Sequence, residues 1–191
     1  MKKVFFSLFA CLLMTQAMAQ SEDSGKWYVR AGVNLMNWSG ENAEGTKMNI
    51  GYNVVGGYQK SISDLLYYGA DFGFGTRGCK AEGDYKMLIH NLQLSPSIGI
   101  KYGVSENLSV DVHGGLFASY DFAGGDKENG ESSSISDWEG WKEFDAGVNV
   151  GVGVWFSRYN VDITYQRGFL EPGKDAKMFT NNIMIRLGMA F

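Results

Sequence analysis

Apolar residues alternate with small or polar ones at a period of two along nearly the whole chain beyond residue 26, and no long window shows the spacing of an amphipathic helix. Successive side chains of a strand point to opposite faces, so each such segment carries one apolar and one polar face. Eight segments read this way: residues 27–38, 48–60, 65–78, 87–102, 108–122, 143–156, 159–169 and 178–191. The sixth is the clearest, with Phe144, Ala146, Val148, Val150, Val152, Val154 and Phe156 set against Asp145, Gly147, Asn149, Gly151 and Gly153. In the fourth, Pro96 lacks a ladder donor, which predicts a kink or bulge there. The connections alternate between short (61–64, 103–107, 157–158) and long (39–47, 79–86, 123–142, 170–177). An even number of antiparallel strands with one trimmed and one elaborated end describes an up-and-down barrel.

Alternation alone does not say which face turns inward, since a soluble barrel hides its apolar face and a membrane barrel exposes it. Volume decides. The interior of an eight-stranded barrel is only just wide enough for side chains to fill, and here one face is crowded with aromatic and branched residues while the other draws on the 26 glycines. The glycine-rich face therefore belongs inside. Charge sorts the same way: that face holds Arg30, Asp71, Arg77, Lys101, Asp111, His113, Asp121, Glu143, Asp145, Asp162 and Arg186, whereas the apolar face holds only Lys60, His90 and Arg167, all near strand ends. Apolar-face rings gather at two heights, with Trp27, Tyr58, Tyr68, Tyr102, Phe156, Tyr159 and Phe191 at one and Phe74, Phe122, Phe144, Phe169 and Phe179 at the other. Paired aromatic girdles are what the two interfaces of a bilayer select.

Residues 1–19 have the three parts of an export signal: Lys2 and Lys3, an apolar run, and Ala17-Met18-Ala19 as a cleavage site. A rival lipoprotein box at residues 8–11 fits poorly at Phe9, and the apolar run continues past Cys11. Residues 20–26 then form a short periplasmic lead-in to a barrel of residues 27–191. Losing Lys2 and Lys3 takes the net charge from −4 to −6, a balance unsuited to nucleic acid, and leaves Cys79 without a disulfide partner.

From Trp27 to Phe191 the chain resembles the small outer-membrane β-barrel superfamily: it is similar to the OmpA membrane domain, to OmpX and to the short Bacteroidetes barrels called porin-family or PorT-like proteins. Its last strand ends with Ile185, Leu187 and Met189 alternating up to a terminal Phe191, which resembles the signal read by the barrel-insertion machinery, although Gly188 lies nearer the end than the glycine of that signal. The resemblance implies an integral outer-membrane protein with short turns and both termini in the periplasm and long loops outside. Its implied partners are outer-membrane lipid and lipopolysaccharide and, during assembly, the insertion machinery; a monomer is expected, and an accessory role in secretion is an alternative.

No residue pattern calls for a catalytic site, a cofactor or a metal. Residues 73–78 match G-x-G-x-x-G but lie inside a strand with no helix following. His90 and His113 face opposite ways, so they form no zinc pair. Lipid A deacylase barrels carry Ser two residues from the catalytic His, where this chain has Leu92 and Gly115. Arg30, Asp71, Arg77, Asp111, His113, Asp145, Asp162 and Arg186 are expected to form a polar lumen network, read as a plug or, alternatively, as the lining of a narrow porin-like channel. The acidic loop 123–142 carries Trp138 and Trp141, which either lie against the membrane interface or contact an extracellular ligand; its acids lack EF-hand spacing.

Overall fold

The computed structural model describes residues 25–173 and 176–191, so the expected export signal and most of the periplasmic lead-in lie outside the described residues. Nine strands form: β1 (Lys26–Gly40), β2 (Asn49–Ser61), β3 (Leu66–Arg77), β4 (Lys86–Ser105), β5 (Leu108–Glu128), β6 (Glu131–Ser134), β7 (Phe144–Phe156), β8 (Tyr159–Gly168) and β9 (Met178–Ala190). Eight of them close a ring in which each pairs antiparallel with its chain neighbour, β5 with β7 and β9 back onto β1. Closure runs the length of β1, from Tyr28 opposite Ala190 to Gly40 opposite Met178, and Phe191 N donates to Trp27 O at 2.9 Å. A closed ring leaves no unpaired sheet edge in lipid.

The barrel is inside out relative to a soluble one. Val33, Ile50, Phe72, Leu94, Ile98, Val112, Val150 and Leu187 are exposed, while Arg30, Asn34, Asn53, Arg77, Asp111, Asp145, Asp162 and Arg186 are buried. The glycine-rich face turns inward for a steric reason. The Tyr28 ring crosses over Gly57 and the Tyr67 ring over Gly99, so closely that a Cβ at either glycine would collide with ring carbons. Glycine on one strand thus makes room for a bulky lumen side chain on the next.

Three expectations need correction. Pro96 causes no register shift: it pairs with Ala70 on β3, and on the β5 side Leu94 opposite Ala118 and Ser97 opposite Gly115 keep one register. Its ring faces outward, and Leu116 O, in that stretch of β5, accepts from the Asn149 side chain at 3.1 Å. The β4–β5 ladder instead shifts register at Phe122, between the His90–Ala123 and Asn91–Asp121 pairs, and again at Val104, between the Gly103–Ser109 and Ser105–Leu108 pairs. Glu143 is not in the lumen; it is exposed beside the first residue of β7, with Tyr120 Oη donating to it at 3.3 Å. Finally, residues 123–142 are not one irregular loop. β5 continues to Glu128, turns at Asn129 (φ 49°) and Gly130 (φ 93°), and returns as β6 before a short 3-10 turn, Ile135–Asp137. Two left-handed central residues make a turn whose twist suits a two-residue hairpin, and Asn-Gly adopts it at low cost.

The long-loop end is tied into one crown. Lys47 exchanges both backbone hydrogen bonds with Lys80, Lys177 Nζ reaches Glu41 Oε2 at 2.5 Å, and Lys142 N donates to Pro172 O at 2.7 Å. Beneath it lies an apolar cluster of Trp38, Ala43, Cys79 and Ile89, against which Met87, Trp138 and Trp141 pack. A smaller apolar group, Tyr28, Trp155 and Ala190, closes the short-turn end.

Candidate functional site

Between these two apolar layers the lumen is filled by ion pairs drawn from β1, β3, β5, β7, β8 and β9. Inward phase on β1 places Arg30, on β3 Asp71, on β8 Asp162 and Thr164, and on β9 Arg186. Asp71 accepts from Tyr28 Oη at 2.5 Å and receives Arg30 Nη1 at 3.4 Å and Arg186 Nη1 at 3.3 Å. Arg186 also donates through Nε to Asp162 Oδ1 at 2.7 Å, and Arg30 Nε donates to Asn160 Oδ1 at 2.9 Å. Beside them Asp111 accepts from Tyr67 Oη and Trp155 Nε1, both at 2.8 Å, and faces His113 Nδ1 at 2.9 Å. A carboxylate with three donors is well satisfied, which a buried charge requires.

A second cluster sits nearer the crown. Arg77 spans the barrel, donating through Nε to Asp121 at 3.1 Å and through Nη1 to Asp145 at 2.9 Å. Thr180 Oγ1 donates to Asp145 at 2.6 Å and Trp141 Nε1 to Asp121 at 3.3 Å. The Arg77 guanidinium lies 5.8 Å from the Trp38 ring and 5.9 Å from the Trp141 ring, within cation–π range. Here one base serves two acids, and Asp121 Oδ1 is buried with no hydrogen-bond partner.

The lumen residues named from sequence therefore fall into two groups: Arg30, Asp71, Asp111, His113, Asp162 and Arg186 in one, Arg77 and Asp145 in the other. Lys101 stands apart, its ammonium 4.2 Å over the Trp155 ring at the short-turn end. Trp138 and Trp141 turn toward the barrel mouth rather than the bilayer, packing on each other at 4.9 Å, with Trp141 6.2 Å from Trp38. Phe191 is exposed at the seam beside Trp27. Sequence reasoning left Trp155, Asn160 and Thr164 out of the network, although all three share the inward phase of their strands.

His113 Nε2 lies 3.2 Å from Thr164 Oγ1, so Asp111, His113 and Thr164 stand in the order acid, imidazole, hydroxyl. That hydroxyl is already shared, donating to Asp162 Oδ1 and accepting from Arg186 Nη2, each at 3.0 Å. The lumen cavity beside it, lined by Tyr28, Arg30, Asp71, His113 and Arg186, offers only about 20 Å³ to the centre of a water molecule. That volume holds one or two waters and no acyl chain. His90, the other histidine, is on the outer face with Tyr52 Oη at 3.2 Å from its Nδ1. Among the described residues no group of three His, Cys, Asp or Glu side chains is placed to hold a metal ion. In the crown, burial pushes the Cys79 thiol up to about 11, so it stays protonated at neutral pH.

The model of the outer membrane protein beta-barrel domain matches residues 7–191. The chain belongs to that family. Solved barrels share its fold at low identity. The outer membrane enzyme PagL has a TM-score of 0.57 at 12% identity, over 85% of this chain and 98% of its own. Neisserial surface protein A gives 0.52 at 12%, over 86% and 97%. Ail, the attachment invasion locus protein of Yersinia pestis, solved with the heparin analogue sucrose octasulfate, gives 0.50 at 14%, over 88% and 99%. No curated protein matches the sequence. This beta-barrel domain protein thus shares its architecture with proteins of differing tasks.

Proposed function

We propose that the chain is a non-catalytic, monomeric outer-membrane barrel whose lumen is plugged and which acts through its extracellular crown or as a structural component of the membrane. One observation carries the reading. Arg30, Arg77 and Arg186 cross the lumen to Asp71, Asp121, Asp145 and Asp162, and the cavity beside Arg30, Asp71 and Arg186 offers only about 20 Å³ to the centre of a water molecule. A continuous aqueous path would have to break several of these pairs, and breaking a buried pair costs about 3–5 kcal/mol. Residues 1–19 direct export, Phe191 marks the last strand for insertion, and the crown presents a pocket of about 300 Å³ lined by Tyr85, Met87, Trp138, Trp141, Pro172 and Met178. Apolar pockets of that size with acidic rims such as Asp126 and Glu139 suit a small ligand.

Planar-bilayer recording tests the plug. The refolded chain should give no discrete conductance steps, and reproducible steps that change on substituting Arg77 would replace this reading with that of a narrow channel. Deleting residues 126–141 should abolish any binding through the crown while leaving the heat-modifiable gel mobility of the barrel intact.

A further inference from the structure

The walls of the crown pocket share one chemical character. Tyr85, Trp138 and Trp141 supply three rings and Met87 and Met178 two thioethers, and the only charged side chains among its described lining residues are Asp126 and Glu139. Neither acid is used in the ion pairs of the crown, which join Lys47 to Glu82 and Lys177 to Glu41. Asp126 accepts a hydrogen bond from Ser133 Oγ, a neutral donor that leaves its charge uncompensated. Lys86 and Lys127 lie to the other side. Met87 lines the pocket, whereas Lys86, of opposite phase in the strand, borders a separate groove with Lys127, and Asp126 stands on the wall between the two.

The tryptophans offer ring surface rather than N–H groups. Trp138 Nε1 donates to Ser133 Oγ at 2.9 Å and Trp141 Nε1 to Asp121 at 3.3 Å, so both indole donors are taken. Their rings meet at 4.9 Å with planes 67° apart, which makes a corner and not a stack. Aromatic faces carry negative charge and attract cations, indole most strongly. The layer beneath adds to that field. Arg77, 5.9 Å from the Trp141 ring, is outnumbered by its partners Asp121 and Asp145, which leaves one net negative charge below the pocket floor. Burial and the Asp126 carboxylate push the Tyr85 hydroxyl up to about 12, so Tyr85 lines the pocket as a neutral ring.

These features select the ligand. An anion would meet two carboxylates. A bare metal ion needs several oxygens converging on it, and among the described residues no group of three His, Cys, Asp or Glu side chains is so placed. A primary ammonium would bring three donors against ring, thioether and small aliphatic surface, losing its hydration without replacing it. A quaternary ammonium has no donor to satisfy, and its methyl groups pack on rings. We infer that the crown pocket binds a small, free organic cation of the alkylated-ammonium class, with Tyr85, Trp138 and Trp141 around the charged head and Asp126 and Glu139 balancing it. About 300 Å³ admits such a head with a short substituent. The inference deepens the reading of the crown as a ligand-binding surface and rests on it.

The test titrates the full chain, refolded in an uncharged glucoside detergent at constant ionic strength, with choline and with its uncharged carbon isostere 3,3-dimethyl-1-butanol. Tryptophan fluorescence and calorimetry follow the binding. Choline should bind about tenfold more tightly than the isostere. Phosphocholine, whose phosphate would face the two acids, should bind more weakly than choline, and tighter binding of phosphocholine overturns the inference. Trp138→Leu keeps an apolar wall and should lose about tenfold in choline affinity. D126N/E139Q should lose about as much, since the amide at 126 still accepts from Ser133 Oγ while the charge is gone. Both should keep the heat-modifiable mobility of the barrel, and Trp138→Phe, milder for packing, should retain part of the affinity. Equal affinity for choline and the isostere, no saturable choline binding, or unchanged choline binding in Trp138→Leu or D126N/E139Q overturns the inference. Deleting residues 126–141 separates it from the reading it rests on. Isostere binding that equals choline binding and disappears with the deletion removes the cation and leaves the crown as a site for neutral ligands. Choline binding that survives the deletion places the site elsewhere and sinks both.

Discussion

The two ion clusters of the lumen share residue types but not design. In the cluster nearer the short turns, Arg30 and Arg186 converge on Asp71, Arg186 also holds Asp162, and Tyr28, Asn160 and Thr164 add neutral hydrogen bonds, so Asp71 is shared by two cations, although Asp162 Oδ2 has no hydrogen-bond partner. In the cluster under the crown a single base, Arg77, holds both Asp121 and Asp145. Redundancy at Asp71 makes the first tolerant of losing Arg30. The second depends on one side chain, with Trp38 and Trp141 closing over it from the crown.

Replacing Arg77 with Met should therefore be the most damaging lumen change. It leaves two buried carboxylates facing each other without a cation, and removal of one partner from a buried pair costs about 3–5 kcal/mol. Urea unfolding in vesicles, followed by tryptophan fluorescence, measures the loss. Arg30→Met should cost less, about 1.5–3 kcal/mol, because Asp71 keeps Arg186 and Tyr28 while only the bonds of Arg30 disappear. Equal losses in the two variants would break the contrast between the clusters.

A control outside the lumen calibrates both. Val150→Arg puts a charge at an exposed position midway along β7, and at the bilayer midplane it should cost about 2–4 kcal/mol. In detergent micelles, where the side chain can reach water, most of that cost should vanish, whereas the Arg77→Met loss should persist. The smallest effect is expected in the crown: Gly130→Ala strains a φ of 93° and should cost about 1 kcal/mol. Proteases should then cut the β5–β6 hairpin faster while the heat-modifiable mobility of the barrel stays unchanged. A barrel that loosened with this substitution would show that crown and lumen fold as one unit.

How much of this the sequence discloses differs from region to region. Along β7 the alternation of Val148, Val150, Val152 and Val154 with Gly147, Asn149, Gly151 and Gly153 gives strand, face and phase together. Lipid on one side and packed lumen on the other punish any slip of one residue. The pairing of Asn129 with Gly130 is an equally specific hairpin signal, yet its flanks are Glu128, Glu131 and serines rather than alternating apolar residues, so the period of the extended β5 and of β6 is hidden. Pro96 misleads for the opposite reason. It reads as an interruption, but its missing donor falls where the ladder to β5 can lapse without losing register.

Individual lumen contacts were further from reach. Phase places Arg77, Asp121 and Asp145 inside, but the partnership among them depends on where β3, β5 and β7 stand around the ring, and nothing in the local pattern of any one strand encodes the positions of the others. The same holds for Lys47, Lys80, Lys86 and Lys127, which are scattered through three loops and strand ends in the chain and become neighbours only through cross-strand pairing. By itself the sequence determined that the strands alternate, that their apolar faces turn outward and that the glycine-rich faces turn in, because these follow from local periodicity and from the volume an eight-stranded interior allows. Which charges meet, whether the lumen is divided into a redundant and a singly held cluster, and how the crown closes were decided by the tertiary structure, because ring closure and register set distances between residues far apart in the chain.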